Sequence, residues 1–269
     1  MRGSSRAAVA EGRQSFETAL MSGDPAVVAD ELFAVTALLD DNATLRRGVA
    51  DPSREGKDKA DLITRLLHGK VSNETVGIVA VLVAQRWAQE RDLTDTLERF
   101  AVEACLKGAE DAGAIDQVED ELFRFERVVA GNPELRDAIG NRSGDAAGKA
   151  DLVGGLLQGK ARPETVRLAR QAVLAPRGRR FDRTLEEYLD IAAERRQQLT
   201  AVVTTAVDLT QEQHARLAGA LQQIYSKPVQ LQIVHDEDVI GGIRVQIGDE
   251  VVDGTVLRRL DEAKRHLAG

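Results

Sequence analysis

Slid against itself by 90 residues, the chain superposes Glu31-Leu-Phe33 on Glu121-Leu-Phe123 and Leu45-Arg46 on Leu135-Arg136. Lys59-Ala-Asp-Leu62 falls on Lys149-Ala-Asp-Leu152, Gly69-Lys70 on Gly159-Lys160, and Glu74-Thr-Val76 on Glu164-Thr-Val166. Residues 31–76 and 121–166 share 18 identities in 46 gapless positions. After a two-residue deletion, Thr96-Leu-Glu98 meets Thr184-Leu-Glu186. Such self-similarity requires the chain to build one supersecondary unit twice. The two units need not do the same work: residues 1–120 carry 14 basic and 22 acidic groups, residues 121–198 carry 15 and 12.

Each copy reads as helical. Asp24-Pro25 joins a capping side chain to a proline at the first helical position. Leu32, Val35, Leu38 and Leu39 then recur at helical spacing. Asn42 and Asn132 stand where short third helices would be capped. Helices over Lys57–Leu67 and Ala146–Leu157 stop at Gly69 and Gly159, and the next ones start near Ser72 and Pro163. Gly and Pro punctuate segments of helical period here, which argues against strands.

The pattern changes at Leu199. Leu199, Ala201, Val203, Thr205 and Val207 alternate with a second β-branched set, as in a strand buried on both faces. Thr210-Gln-Glu-Gln213 is a capping box, opening a helix with Leu217, Leu221 and Ile224 on its apolar face. Val229, Leu231 and Ile233, then Ile243, Val245 and Ile247, alternate with polar residues as strands do. Gly248-Asp249-Glu250 turns into Val251-Val252, and Thr255–Leu267 reads as a closing helix. The fold class is therefore mainly α with a small α/β part. A first helical bundle (1–108), a second (109–198) and a C-terminal α/β domain (199–269) follow in order.

Chemistry is hard to find. One cysteine, Cys105, excludes an internal disulfide framework or a multi-Cys metal site and suits a reducing compartment. His68, His214, His235 and His266 have no partner at metal-ligand spacing. Gly144-Asp-Ala-Ala-Gly148-Lys149-Ala150 is one residue short of a phosphate loop and has Ala where the hydroxyl belongs. No catalytic, cofactor or metal site is expected. The net charge of −8 disfavours generic polyanion binding. Arg177, Arg179, Arg180 and Arg183 are the best case for RNA, yet only Phe181 is nearby to stack bases. A solvated turn or a docking patch for an acidic protein is the better reading of that cluster. Met1–Glu11 has no apolar h-region, so no secretory signal is expected. The most apolar run, Thr75–Ala84, is about half a membrane span.

Interaction surfaces are better supported. Val76, Ile78, Val79, Val81, Leu82 and Val83 leave their helix almost no polar face. Either the bundle encloses this helix, or one side is a groove for a partner's amphipathic helix.

The C-terminal run Val239–Leu260 resembles the terminal signature of the delta subunit of bacterial F-type ATP synthases, relative of the mitochondrial oligomycin-sensitivity-conferring protein. The resemblance rests on Gly242, the alternating Ile243, Val245 and Ile247, Gly248-Asp249, Asp253-Gly254 and Leu260, and on the order of helical bundle before α/β domain. His235 departs from it, standing where the family has an apolar strand residue. The duplication is absent from the short family form and resembles the long actinobacterial versions.

The resemblance implies a non-catalytic stator subunit, one per complex, without cofactor. The helical part would receive amphipathic N-terminal helices of alpha subunits, and the C-terminal part would grip the b-type peripheral stalk subunit. Implied head contacts are Phe16, Leu20, Val76, Val79 and Val83, with Val166, Ala169 and Val173 as equivalents in copy two. Copy one is favoured because it has its own opening helix, Arg6–Leu20, and the more apolar fifth helix. Implied stalk contacts are Gly242, Ile243, Val245, Val256, Leu260 and Leu267. The implied location is the cytoplasmic face of the plasma membrane, reached only through the complex. The rival reading is a helical adaptor that binds RNA or an acidic protein through the basic second copy.

Overall fold

In the computed structural model, residues 3–141, 144–197, 199–225, 228–236, 239, 241–247 and 250–253 are described. Eleven helices lead: α1 (Gly3–Ser22), α2 (Pro25–Asp41), α3 (Ala43–Ala50), α4 (Gly56–Leu67), α5 (Asn73–Ala84), α6 (Glu90–Asp111), α7 (Ile115–Gly131), α8 (Pro133–Gly140), α9 (Ala146–Leu157), α10 (Pro163–Leu174) and α11 (Phe181–Gln197). Shifting α2, α3, α4 and α5 by the sequence period of 90 gives the bounds of α7, α8, α9 and α10 residue for residue. The same shift lays α1 on α6. One helix thus closes copy one and opens copy two, so the second copy has an opening helix after all.

The composition of α6 explains how it can serve both. Leu93, Leu97, Phe100, Ala101, Val102, Ala104, Cys105, Leu106 and Ala109 are all buried, and they spread around the whole helix. A helix apolar on every side must be enclosed on every side. It packs against α1, α2, α3 and α5 of copy one and against α7 and α10 of copy two. Phe100 stacks on Phe16 of α1, ring centroids 4.4 Å apart. One apolar core runs from Ala8 to Ala192 through both copies, and the expected division at residue 108 falls within α6.

Local signals behave as their chemistry demands. Asp24 accepts from Ala26 N, Ser72 from Thr75 N, Asn132 from Leu135 N, and Asp145 from Ala147 N and Gly148 N. Asn42 differs: its amide donates backward to Leu38 O and caps nothing ahead. Gly69 and Gly159 both sit at φ 70°, the left-handed stop for which glycine has no steric penalty.

The chain divides into two compact units at Ala193/Glu194. The second contains β1 (Leu199–Thr205), α12 (Gln211–Tyr225), β2 (Val229–His235), β3 (Arg244–Ile247) and β4 (Glu250–Asp253). Sheet order is β2-β1-β3-β4. β1 and β2 are parallel, from Leu199 opposite Val229 to Thr205 opposite His235. That pairing needs a crossover, which α12 supplies by packing on β2. β1–β3 and β3–β4 are antiparallel. The capping box forms: Thr210 N donates to Gln213 Oε1 and Gln213 N to Thr210 Oγ1.

β1 buries Ala201, Val203 and Thr205 and half-buries Val202 and Thr204, less than the double burial expected. Leu217, Ala218, Leu221 and Tyr225 make the α12 contact with the sheet. Ile224 does not belong to that face; it is 71 % exposed, because the i, i+4 line from Leu221 runs to Tyr225. His235, opposite Thr205 at the last paired position of β2, is exposed with its Nε2 2.6 Å from Asp208 Oδ1, so it takes no place in the apolar core. The expected Thr255–Leu267 helix and the Gly248-Asp249 turn lie outside the described residues.

Candidate functional site

The apolar fifth helix is set by a polar clamp that both copies repeat. In copy one the Glu31 carboxylate accepts from Ser72 N at 2.8 Å, Ser72 Oγ at 2.5 Å and Thr75 Oγ1 at 2.6 Å. In copy two Glu121 accepts from Arg162 N at 2.8 Å and Thr165 Oγ1 at 2.6 Å. Each Glu thus ties the second helix of its copy to the amide end of the fifth, where helix polarity also favours negative charge. Burial works against the Glu121 charge, but the bonds from Thr165, Arg162 and Gln117 hold its pKa below the usual glutamate value. The clamp gives a physical role to two identities of the repeat, Glu31 with Glu121 and Thr75 with Thr165.

The bundle encloses most of α5. Ile78, Val79, Leu82 and Val83 are fully buried. So is Phe16, with Leu20 nearly so, while Val76 is half-buried. In copy two Ala169 and Val173 are buried and Val166 is half-buried. The implied head contacts are therefore mostly core, and only the repeat-related pair Val76 and Val166 meets solvent. The accessible side of α5 is Val76, Gly77, Ala80, Val81 and Ala84, small and without charge. On α10 the same positions are Val166, Arg167, Arg170, Gln171 and Leu174. Arg167 Nε donates to Asp30 Oδ1 of α2 at 2.6 Å, and Arg170 pairs with Asp151. One repeat leaves a small apolar face on its fifth helix; the other covers it with tethered guanidiniums. Beneath the α5 face, α1 comes close: a Cβ on Gly12 would lie 2.3 Å from Leu82 Cδ2.

The basic cluster splits in two. The Arg177 side chain is 6 % exposed and reaches Asp40 of α2 at 2.6 Å and Glu98 of α6 at 2.6 Å. It also donates to Thr94 Oγ1 at 2.6 Å and pairs with Asp95 at 2.8 Å. Arg179 joins Glu98 as well, and buried Tyr188 donates to Glu98 Oε1 at 3.0 Å. Burial opposes the Arg177 charge, but Glu98 and Asp40 more than compensate and raise its pKa. Burial raises that of Tyr188, and Glu98 adds to it. Only Arg180 and Arg183 stay exposed, paired locally with Asp182 and Glu186. The acidic groups that Arg177 and Arg179 meet are the chain's own, on α2 and α6. Arg177 and Arg179 are therefore taken from any patch for RNA or an acidic partner, while Arg180 and Arg183 lie as the solvated turn predicts. Arg177 holds φ at 51°, a conformation costly for any residue with a Cβ.

Cys105 is buried in α6, its Sγ 3.7 Å from Glu164 O, and burial pushes its thiol pKa up to about 12. Among the described residues no group of three or more His, Cys, Asp or Glu could hold a metal ion, and no helix is long and apolar enough to cross a membrane. In the C-terminal unit, Gly241 and Gly242 lie at φ 66° and 82°, shaping the entry to β3 in a way L-residues resist. Ile243 is half-buried and Val245 buried against β1. Val256, Leu260 and Leu267 lie outside the described residues. Val207, expected within the buried strand, lies beyond the end of β1 and is exposed, as are Val251 and Val252 on β4, since alternation does not tell where a strand ends or which strand is at an edge.

Comparison with known proteins agrees with this architecture. The family model for the ATP synthase delta (OSCP) subunit matches twice, over residues 15–104 and 97–267. The two matches overlap inside α6, the helix that both copies share. Proteins described as ATP synthase subunit delta match end to end. That of Kineococcus radiotolerans is 45 % identical, covering 99 % of this chain and 98 % of its own. Those of Streptomyces coelicolor and Streptomyces griseus are 46 % and 45 % identical, covering all of this chain and 98 % and 100 % of theirs. A chain of the Toxoplasma gondii mitochondrial ATP synthase hexamer is 18 % identical with a TM-score of 0.29, covering 62 % of this chain and 95 % of that one, and carries no weight.

Proposed function

This chain belongs to the ATP synthase delta (OSCP) subunit family, and from that premise we propose that it joins the catalytic head to the b-type stalk subunit. Within that family it is a non-catalytic component of the peripheral stalk. Residues 1–108 receive an amphipathic N-terminal helix of an alpha subunit, residues 109–198 brace the first copy, and residues 199–269 grip the stalk. The joined chain holds the head still against rotor torque, so that proton flow drives ATP synthesis. It sits at the cytoplasmic face of the plasma membrane, one copy per complex, held there by its partners.

The observation that carries the assignment to copy one is the accessible α5 face. Val76, Gly77, Ala80, Val81 and Ala84 let another helix approach closely, whereas on α10 the arginines at positions 167 and 170 stand in the way. Phe16, Leu20, Val79 and Val83 support that face from within. In copy two, Val166 with Ala169 and Val173 has the supporting role only. Ile243, Gly242 and Val245, with Val256, Leu260 and Leu267, belong to the stalk-binding end.

A photo-crosslinker placed at Val76 or Val166 in the assembled complex tests this. Crosslinking to the alpha N-terminus from position 76 and not from 166 is expected. The reverse pattern would remove copy one from the head contact.

A further inference from the structure

Three residues past its fifth helix, each copy places a large side chain, and the two go opposite ways. In copy one it is Trp87, 5 % exposed, whose indole N–H donates to Leu82 O at 2.8 Å. In copy two the residue at the same distance is Arg177, turned by its left-handed backbone into the ion pairs with Asp40, Asp95 and Glu98. The counterpart of Leu82 is Ala172, four carbons' worth of side chain reduced to one.

The consequence is an open cleft in copy two. It has a volume of about 970 Å³ and is lined by Val129, Ile139, Ala172 and Phe181 on its apolar side and by charged side chains such as Glu126 and Arg136 elsewhere, at the upper end of the about 300–1,000 Å³ usual for binding sites. The short helix beside it is loosely held: α3 packs on α2, α4, α5 and α6, whereas its counterpart α8 packs chiefly on α7. The carbonyl matching the Trp87 acceptor, that of Ala172, has Pro176 four residues on, which has no N–H to give. Ala175 N is committed to Gln171 O. Leu152 and Leu156 continue the side of α9 on which Lys149 lines the cleft, and both are exposed, as is Leu174 at the cleft itself. A wall of apolar side chains beside charged ones, an acceptor without its helical donor and an apolar track leading away fit an amphipathic helix that carries a bulky aromatic with one N–H.

We propose that the cleft between α7, α8, α9, α10 and the start of α11 receives a tryptophan from an amphipathic helix of another subunit of the complex. The indole takes the place in copy two that Trp87 takes in copy one, donating its N–H toward Ala172 O, while the helix lies along Leu152 and Leu156. Identification of the partner as a synthase subunit rests on the proposed function; the indole chemistry of the site does not.

Two experiments test it. N-acetyl-tryptophanamide is titrated into the full chain with labelled methyl groups. Shifts at Val129, Ile139, Val173 and Leu174 are expected, with the copy-one methyls of Leu39, Val49 and Val83 unmoved. Ala172→Leu, which installs the copy-one residue, weakens binding at least tenfold, as does Leu174→Glu at an exposed position that folding tolerates. The N1-methylated probe, which lacks the indole donor, binds about fivefold more weakly. No shifts at the solubility limit, equal shifts in both copies, or indifference to both substitutions overturns the site. A photo-crosslinker at Leu174 in the assembled synthase then identifies the occupant, and a tryptophan-bearing helical segment is expected. A chain present in the synthase that crosslinks to a segment without tryptophan, or to none, overturns the inference and leaves the stalk reading standing. A chain absent from the synthase overturns the stalk reading, and with it the partner named here, whatever the indole titration shows.

Discussion

Arg177 ties the loop after α10 to α2 and α6, and its removal has a calculable effect. Deleting one partner of a buried ion pair costs about 3–5 kcal/mol, most of it from the charge left behind. Here Arg179 still faces Glu98, and Asp40 and Asp95 retain access to water. Arg177→Ala is therefore expected to cost about 2–3 kcal/mol. The only tryptophan, Trp87, is buried within the first unit, so its fluorescence during urea unfolding reports that unit selectively. With a slope of about 2–3 kcal/mol per molar urea, the midpoint falls by about 1 M. Arg177→Gly loses the same ion pairs but relieves the left-handed backbone, so it is expected to be about 0.5 kcal/mol or more less damaging than the alanine. A midpoint within about 0.2 M of the parent for Arg177→Ala would refute the clamp. A glycine variant weaker than the alanine would refute the backbone argument.

Three further outcomes follow from individual sites. Glu121 has its pKa depressed in the folded chain, so its contribution to stability is complete above the ordinary glutamate value of 4.5 and is lost as pH falls through the folded value. Urea midpoints of the parent and Glu121→Gln should differ most at pH 6 to 7 and converge on acidification below about 4.5; a gap constant with pH would exclude the carboxylate clamp. Cys105, buried and with its thiol pushed up to about 12, should resist a disulfide reagent at pH 8 in the native chain and react fully in denaturant. Rapid native labelling would contradict its burial. Gly12→Val drives a branched side chain into Leu82 on the α1–α5 contact and should cost about 1–3 kcal/mol by overpacking, read again from Trp87; an unchanged midpoint would mean that α1 is free to shift.

Much of this molecule can be read from its residues, and the division between what can and cannot is physical. Helix limits are local events: Asp24, Ser72 and Asp145 cap the turn that follows them, and Gly69 and Gly159 stop the one before. The repeat carries these limits from one copy to the other, which is why α2 to α5 and α7 to α10 agree in length. The shared role of α6 was not legible, because only small echoes, such as Ala19 with Ala109, link it to α1. Its doubled function comes from burial on all sides, which needs both copies in place. Arg177 misled for a related reason. A cluster of arginines looks solvated along the chain, and its acceptors Asp40, Asp95 and Glu98 lie far away in sequence. The apolar fifth helix allowed enclosure or docking, and the structure divides it, with Val79 and Val83 inside and Val76 toward solvent.

The central claim is that one chain holds two parts of the synthase through two separate ends. Its most direct test is a mild-detergent affinity recovery of the tagged chain from source membranes, full length and ending before Leu199. The account expects alpha, beta and b-type subunits with the full chain, and alpha and beta without the b-type subunit when residues 199–269 are removed. Retention of the b-type subunit by the shortened chain, or loss of the head together with it, would contradict the account.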